Sequence, residues 1–164
     1  MGKLTWTGRV ETIAEATPSE IWAVVSDIRR IGEWSHECRS GAWLDDAVEA
    51  KPGARFAGTN QLGRYTWSRT SEVTIADAPH VLAWRTEPSH VYRDSTEWRI
   101  ELEPHERGTR IVQTYKILKI NPVMERLIYL LRHPQADSSP HKTVVPVKFI
   151  EGKSIGQPGE EKPA

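Results

Sequence analysis

The chain of 164 residues has one cysteine, Cys38, two methionines and two phenylalanines. A single thiol makes neither an internal disulfide nor a multi-cysteine metal site. Neither sign of charge is in excess: Lys+Arg and Asp+Glu number 22 each, for a formal net charge of zero. That removes the simplest argument for a nucleic-acid or anionic-membrane surface. No apolar run approaches the roughly 18 residues of a membrane-crossing helix, and the opening Met1-Gly2-Lys3-Leu4-Thr5-Trp6 starts no apolar signal-peptide core. The expectation is a cytoplasmic protein in a reducing compartment, with no nucleic-acid partner and no integral membrane association. P-loop, dinucleotide fingerprint, zinc-type Cys/His spacing and nucleophile elbow are all missing, which removes the enzyme classes most readable from one sequence. Neither a cofactor nor a metal is expected.

Tryptophan, by contrast, is abundant. Seven are present against four Tyr and two Phe, and Trp6, Trp22, Trp34, Trp43, Trp67, Trp84 and Trp98 all fall in the first 98 residues. A large amphipathic ring seeks burial for its body and a partner for its N–H. The count therefore points to a bulky core or an aromatic-lined pocket, and composition does not choose between them. The length fits one domain, long enough to bury about two thirds of its unfolded surface.

Residues 3–15 alternate, with Leu4, Trp6, Gly8 and Val10 on one parity and Thr5, Thr7, Arg9 and Glu11 on the other, which predicts a half-buried strand. Thr17-Pro18-Ser19-Glu20 matches a capping box with proline at the first helical position, and Ile21, Trp22, Val24 and Val25 give the helix an apolar side. A second short helical piece over Arg29–Trp34 follows Asp27 as its cap. From 38 to 117 the pattern is strands: 38–44, 54–62, 64–76, 81–87, 95–103 and 109–117, with turns at Lys51-Pro52-Gly53, Gly63, Asp77-Ala78-Pro79, Glu87-Pro88 and Arg107-Gly108. Tyr65, Trp67, Val73 and Ile75 share one parity of the 64–76 run, Trp98, Ile100 and Leu102 one of the 95–103 run, and Ile111, Tyr115 and Ile117 one of the last. Asn121-Pro122 then opens an amphipathic helix through Val123, Met124, Leu127, Ile128 and Leu131 that stops at His133-Pro134. Residues 143–150 are apolar enough for a strand that Pro146 confines to an edge, and beyond Gly152 the composition is that of a disordered tail.

The order strand, two short helices, six antiparallel strands and a closing helix is that of an α+β helix-grip fold, a curved sheet of about seven strands wrapped around a C-terminal helix with a cavity between them. At this level the chain resembles the START-like superfamily, specifically the bacterial polyketide cyclase/dehydrase and lipid-transport group, or SRPBCC proteins. The resemblance is carried by Ala16-Thr17-Pro18-Ser19-Glu20-Ile21-Trp22, Val25-Ser26-Asp27, Gly32-Glu33-Trp34-Ser35-His36-Glu37-Cys38, Pro52-Gly53-Ala54-Arg55-Phe56 and Ser95-Thr96-Glu97-Trp98. It implies a domain over residues 1–133 with an internal hydrophobic cavity, followed by a Pro-rich tail over 134–164. It does not imply a shared reaction. The closing helix of such proteins is long and uninterrupted, whereas here the helical pattern breaks at His133-Pro134.

Several polar residues stand on inward registers. Arg69 and Ser71 fall on the apolar parity of their strand, Gln113 on that of the last strand, Thr96 in register with Trp98, and Asn60 in register with Phe56 and Leu62. If those registers hold, Asn60, Arg69, Thr96 and Gln113 enter a cavity walled by Trp67, Trp98 and Tyr115, with Arg69 as the clamp for an anionic end of the ligand. A bulge would instead turn Arg69 out to solvent. In His36-Glu37-Cys38 a strand places only His36 and Cys38 on one side, too few for zinc; Cys38 reads as a small buried hydrophobe and His36 as a residue at the cavity mouth. His80, His90, His105, His133 and His141 fall in turns or tail, and Tyr92 and Arg93 are placed to rim the cavity. Trp22 and Trp34 read as core. The inward registers carry no histidine or carboxylate suited to acid–base work, so no catalytic residue is assigned.

The leading reading is carriage or sequestration of a small hydrophobic or amphipathic ligand by a monomer or homodimer. The alternatives are a polyketide-type aromatase/cyclase or dehydratase acting through Arg69, and a protein-interaction module using residues 143–150 as an added edge strand.

Overall fold

The computed structural model describes residues 7–119. The helix expected at 123–131, the edge strand at 143–150, the tail and the boundary at 133/134 all lie outside them, as do the first residues of the opening strand.

The capping box forms as the spacing requires. Thr17 Oγ1 accepts from the Glu20 amide at 3.3 Å, and Glu20 Oε2 accepts from the Thr17 amide at 2.8 Å. Hydrogen bonds from the Thr17 amide and hydroxyl hold the Glu20 carboxyl below the usual carboxylate range. The box starts α1 (Pro18–Val25), whose Ile21, Val24 and Val25 are buried. Asp27 then caps a one-turn 3-10 helix (Ile28–Arg30) that runs into α2 (Ile31–Trp34).

Strand β1 (Thr7–Ala14) precedes these helices, and six strands follow them: β2 (Cys38–Trp43), β3 (Arg55–Leu62), β4 (Tyr65–Asp77), β5 (Val81–Thr86), β6 (Ser95–His105) and β7 (Gly108–Lys119). They form one antiparallel seven-stranded sheet in the order β1-β7-β6-β5-β4-β3-β2, so each of β2 to β7 lies beside its neighbour in sequence and β1 closes on β7. This is the helix-grip architecture, with a curved sheet and two short helices.

Register sorts the side chains cleanly between two faces. On the outer face Glu11 accepts from Arg9 at 2.6 Å and from Arg110 at 2.9 Å, and Arg110 also meets Glu103 at 3.1 Å. Solvent screens these exposed pairs, which mark that face as the wet one. The inner face carries Phe56, Val73, Leu82, Trp84, Ile100, Leu102 and Ile111, which pack with Ile21, Val24, Val25, Ile28, Ile31 and Trp34 from the helices. Each large aliphatic buried there contributes about 1.5–3 kcal/mol relative to exposure. Approach is close at Gly41 of β2, where a Cβ would strike the Ile28 carbonyl and side chain, and at Gly32 of α2, where one would strike the Arg39 carbonyl. The helices thus cover part of the inner face.

One register expectation is corrected. Ile75 was expected inward with Val73, but the β4–β5 pairing shifts between Val73 and Ile75, so Ala76 rather than Ile75 takes the place opposite Leu82. Ile75 is consequently exposed. One extra residue in a strand moves every later side chain to the other face.

Candidate functional site

All seven residues singled out from the sequence lie on the inner face. Asn60 pairs with Trp67 across β3 and β4, and Arg69 stands opposite Gly58. Thr96 faces Ile117, Trp98 faces Tyr115, and Gln113 faces Ile100 across β6 and β7. On the other side of β7, Gln113 faces Val10 and Tyr115 faces Gly8.

The aromatic rings form two groups. Trp84, Trp98 and Tyr115 run across β5, β6 and β7: Trp84 stacks on Trp98 at 6.4 Å and 14°, and Trp98 meets Tyr115 at 5.4 Å and 39°. Trp84 continues into the core through edge contacts with Trp34 at 6.5 Å and Phe56 at 6.4 Å. Near the other end of the face Trp67 stacks on Tyr65 at 5.3 Å. Trp67, Trp98 and Tyr115 are each half-buried. Tyr115 owes its position to Gly8, since a Cβ there would lie 2.6 Å from its Cζ and closer still to Cε1. The bare glycine lets the ring lie over β1.

The polar residues are not equivalent. Gln113 is 7 % exposed, and its buried Oε1 has no hydrogen-bond partner among the described residues. Asn60 and Thr96 are half-buried. Arg69 points inward, so the bulge that would have turned it out is absent from its part of β4. Its guanidinium is engaged on one side, where Nη1 donates to both carboxylate oxygens of Asp94 at 2.7 and 2.8 Å and Nη2 donates to the Asp94 carbonyl at 3.0 Å, while its buried Nε has no hydrogen-bond partner among the described residues. The guanidinium also lies 5.2 Å from the centre of the Tyr92 ring, whose hydroxyl is 2.9 Å from that of Tyr65. At the other end of the same loop Arg55 pairs with Glu87 at 2.8 Å and with Asp45 at 2.7 Å, and this pairing holds the Glu87 carboxyl below its usual range. The Glu87–Asp94 loop is therefore pinned at both ends by arginines of the sheet.

Cys38 is buried, its Sγ 3.5 Å from the Ser40 carbonyl, and burial pushes its thiol up to about 11. His36 is exposed between α2 and β2. Among the described residues no group of His, Cys, Asp or Glu is arranged to hold a metal ion, and no helix is long and apolar enough to cross a membrane.

Residues 5–128 match the family of polyketide cyclase / dehydrase and lipid transport proteins. The chain belongs to this family. No curated protein matches it in sequence. Among solved structures it is similar to major latex-like protein 151 from Panax ginseng, at 9 % identity over 79 % of this chain and 92 % of that one, with a TM-score of 0.59. DR_A0006 from Deinococcus radiodurans is 21 % identical over 78 % of this chain and 95 % of its own, with a TM-score of 0.56. The Polyketide_cyc-like protein Cgl2372 from Corynebacterium glutamicum is 28 % identical over 84 % of this chain and 76 % of its own, with a TM-score of 0.50. The first two likenesses speak to fold alone.

In this member of the polyketide cyclase / dehydrase and lipid transport family, sequence reasoning passed over Trp84, Asp94 and Tyr65 as site residues. Trp84 shares its parity with Leu82, so alternation along β5 was a usable signal for its inward position. Asp94 lies 25 residues from Arg69, and nothing local in the sequence announces that pairing.

Proposed function

We propose that the protein carries or sequesters a small hydrophobic or amphipathic molecule against the inner face of its sheet. The observation that carries this reading is the Trp84–Trp98–Tyr115 bank, whose Trp98 and Tyr115 rings are half-buried and share β6 and β7 with polar Thr96 and Gln113, while Asn60 stands across from Trp67 further along the same face. Aromatic surface with a few placed polar groups is the common make-up of a small-molecule site. The family, with lipid transport in its description, supports a ligand-binding use of the fold. Binding is favoured over turnover by the residue types present. The described strand residues of this face include no histidine or carboxylate, and the carboxylate that reaches it from a loop, Asp94, is tied to Arg69. General acid–base chemistry needs a titratable group within hydrogen-bond reach of the substrate.

The test is a titration of the protein's tryptophan fluorescence with fatty acids, sterols, flavonoids and aromatic polyketides. A saturable change that Trp98→Phe diminishes is expected for at least one class. A flat response across the panel contradicts the reading.

A further inference from the structure

The inner face holds a hydrogen-bond acceptor that the described residues leave unused. Gln113 sits on β7 between Ile111 and Tyr115 of its own face, with Ile100 beside it on β6 and Val10 on β1. The residue is more than nine-tenths buried, yet Oε1 meets no donor among the described residues. Buried polar atoms in folded proteins are paired in the great majority of cases, and an orphan lowers stability. Among these neighbours an aliphatic side chain would serve folding better than an amide.

The charges nearby decide what kind of group fits. Among the described strand residues of this face, charge is confined to Arg69 and to Lys119 at the exposed end of β7. Arg69 is neutralised by Asp94, which takes three of its hydrogen bonds and leaves its buried Nε without a partner among the described residues; it stands on β4, three strands from Gln113 on β7. A carboxylate brought beside Gln113 Oε1 would set acceptor against acceptor and lose its hydration with no cation in exchange. A hydroxyl or N–H would instead complete the orphan oxygen, while its ring lies against Trp98 and Tyr115.

We propose that Gln113 is the specificity-determining acceptor for a neutral hydrogen-bond donor on the bound molecule, so that the site selects ring-containing alcohols, phenols or amides over carboxylates and ethers of the same shape. This deepens the ligand-binding reading above and rests on it.

The experiment is calorimetric titration of the full chain at neutral pH with three probes of one ring system: 2-naphthol, 2-methoxynaphthalene and 2-naphthoate. The melting temperature of the ligand-free protein is measured alongside. The naphthol is expected to bind roughly tenfold or more tighter than either of the others, since only it satisfies the oxygen. Gln113→Met, which keeps the side chain's length, should bring naphthol and ether within about threefold of each other and raise the melting temperature of the ligand-free protein. Gln113→Leu provides the same comparison should the thioether repack poorly. Equal binding of naphthol and ether by the wild type, tightest binding of the naphthoate, or an unchanged naphthol preference in the variants overturns the assignment of Gln113 alone. Binding of none of the three probes overturns this inference, and the ligand-binding reading itself falls only if the wider fluorescence panel is flat as well.

Discussion

Substituting Gly8 by alanine adds one methyl group at the point where β1 passes beneath Tyr115. The new Cβ would lie 2.6 Å from Tyr115 Cζ and closer to Cε1, against the roughly 3.5–4.0 Å that carbon atoms prefer. The ring must therefore lift by about an ångström, and it cannot do so without disturbing its contact with Trp98 at 5.4 Å. Overpacking of this kind costs about 1–3 kcal/mol, and a disturbed aromatic pair forfeits up to about 1.5 kcal/mol more. Replacing glycine within a strand returns about 0.5–1 kcal/mol. The net expectation for Gly8→Ala is a loss of about 1–3 kcal/mol. In a Tyr115→Ala background the obstruction is gone, and the same substitution should be neutral or mildly stabilising. The assay is a double-mutant cycle by urea denaturation followed through tryptophan fluorescence. With an m-value of about 2 kcal/mol/M, a coupling of about 2 kcal/mol shifts the midpoint by roughly 1 M. An equal cost of Gly8→Ala in both backgrounds would refute the claim that the glycine exists to seat the ring.

Two further outcomes follow from the pinned loop and the buried thiol. Asp94→Asn leaves the Arg69 guanidinium, whose side chain is 13 % exposed, without its counter-charge; a loss of about 1–3 kcal/mol, between the surface and the buried case, is expected. Amide exchange over residues 88–94 should accelerate with it, and unchanged protection there would show that the pair does not hold the loop. The Cys38 thiol is raised by burial to about 11 from an unfolded value of roughly 8.5. The unfolded chain therefore releases this proton first, so the contribution is whole below about 8.5 and is lost as pH rises toward 11. Subtracting the pH–stability profile of Cys38→Ala from that of the wild type should isolate this fall, and identical profiles would contradict it.

What the sequence reveals and what it hides divide along the range of the interactions. The Thr17–Glu20 capping box and the Asp27 cap are complete within four residues, so their residue types announce them. Alternation places Trp67, Arg69, Trp98, Gln113 and Tyr115 on one face, because each strand's pleat is a local property. Ile75 escapes that logic: a register shift needs a partner strand to define it. The use of Arg69 escapes it too, since a correct inward register does not tell whether its charge meets a ligand or Asp94. The orphan oxygen of Gln113 is a fact about the groups around it in space, and strand parity supplies only the face on which it lies.

The most direct measurement is the set of indole N–H resonances in a ¹H–¹⁵N spectrum during titration with 2-naphthol. Trp98, half-buried between Trp84 and Tyr115, is expected to move progressively to saturation, while Trp22 and Trp34, packed with the helices, stay in place. Saturable binding that leaves Trp98 unmoved, or that shifts only Trp22 and Trp34, would contradict it.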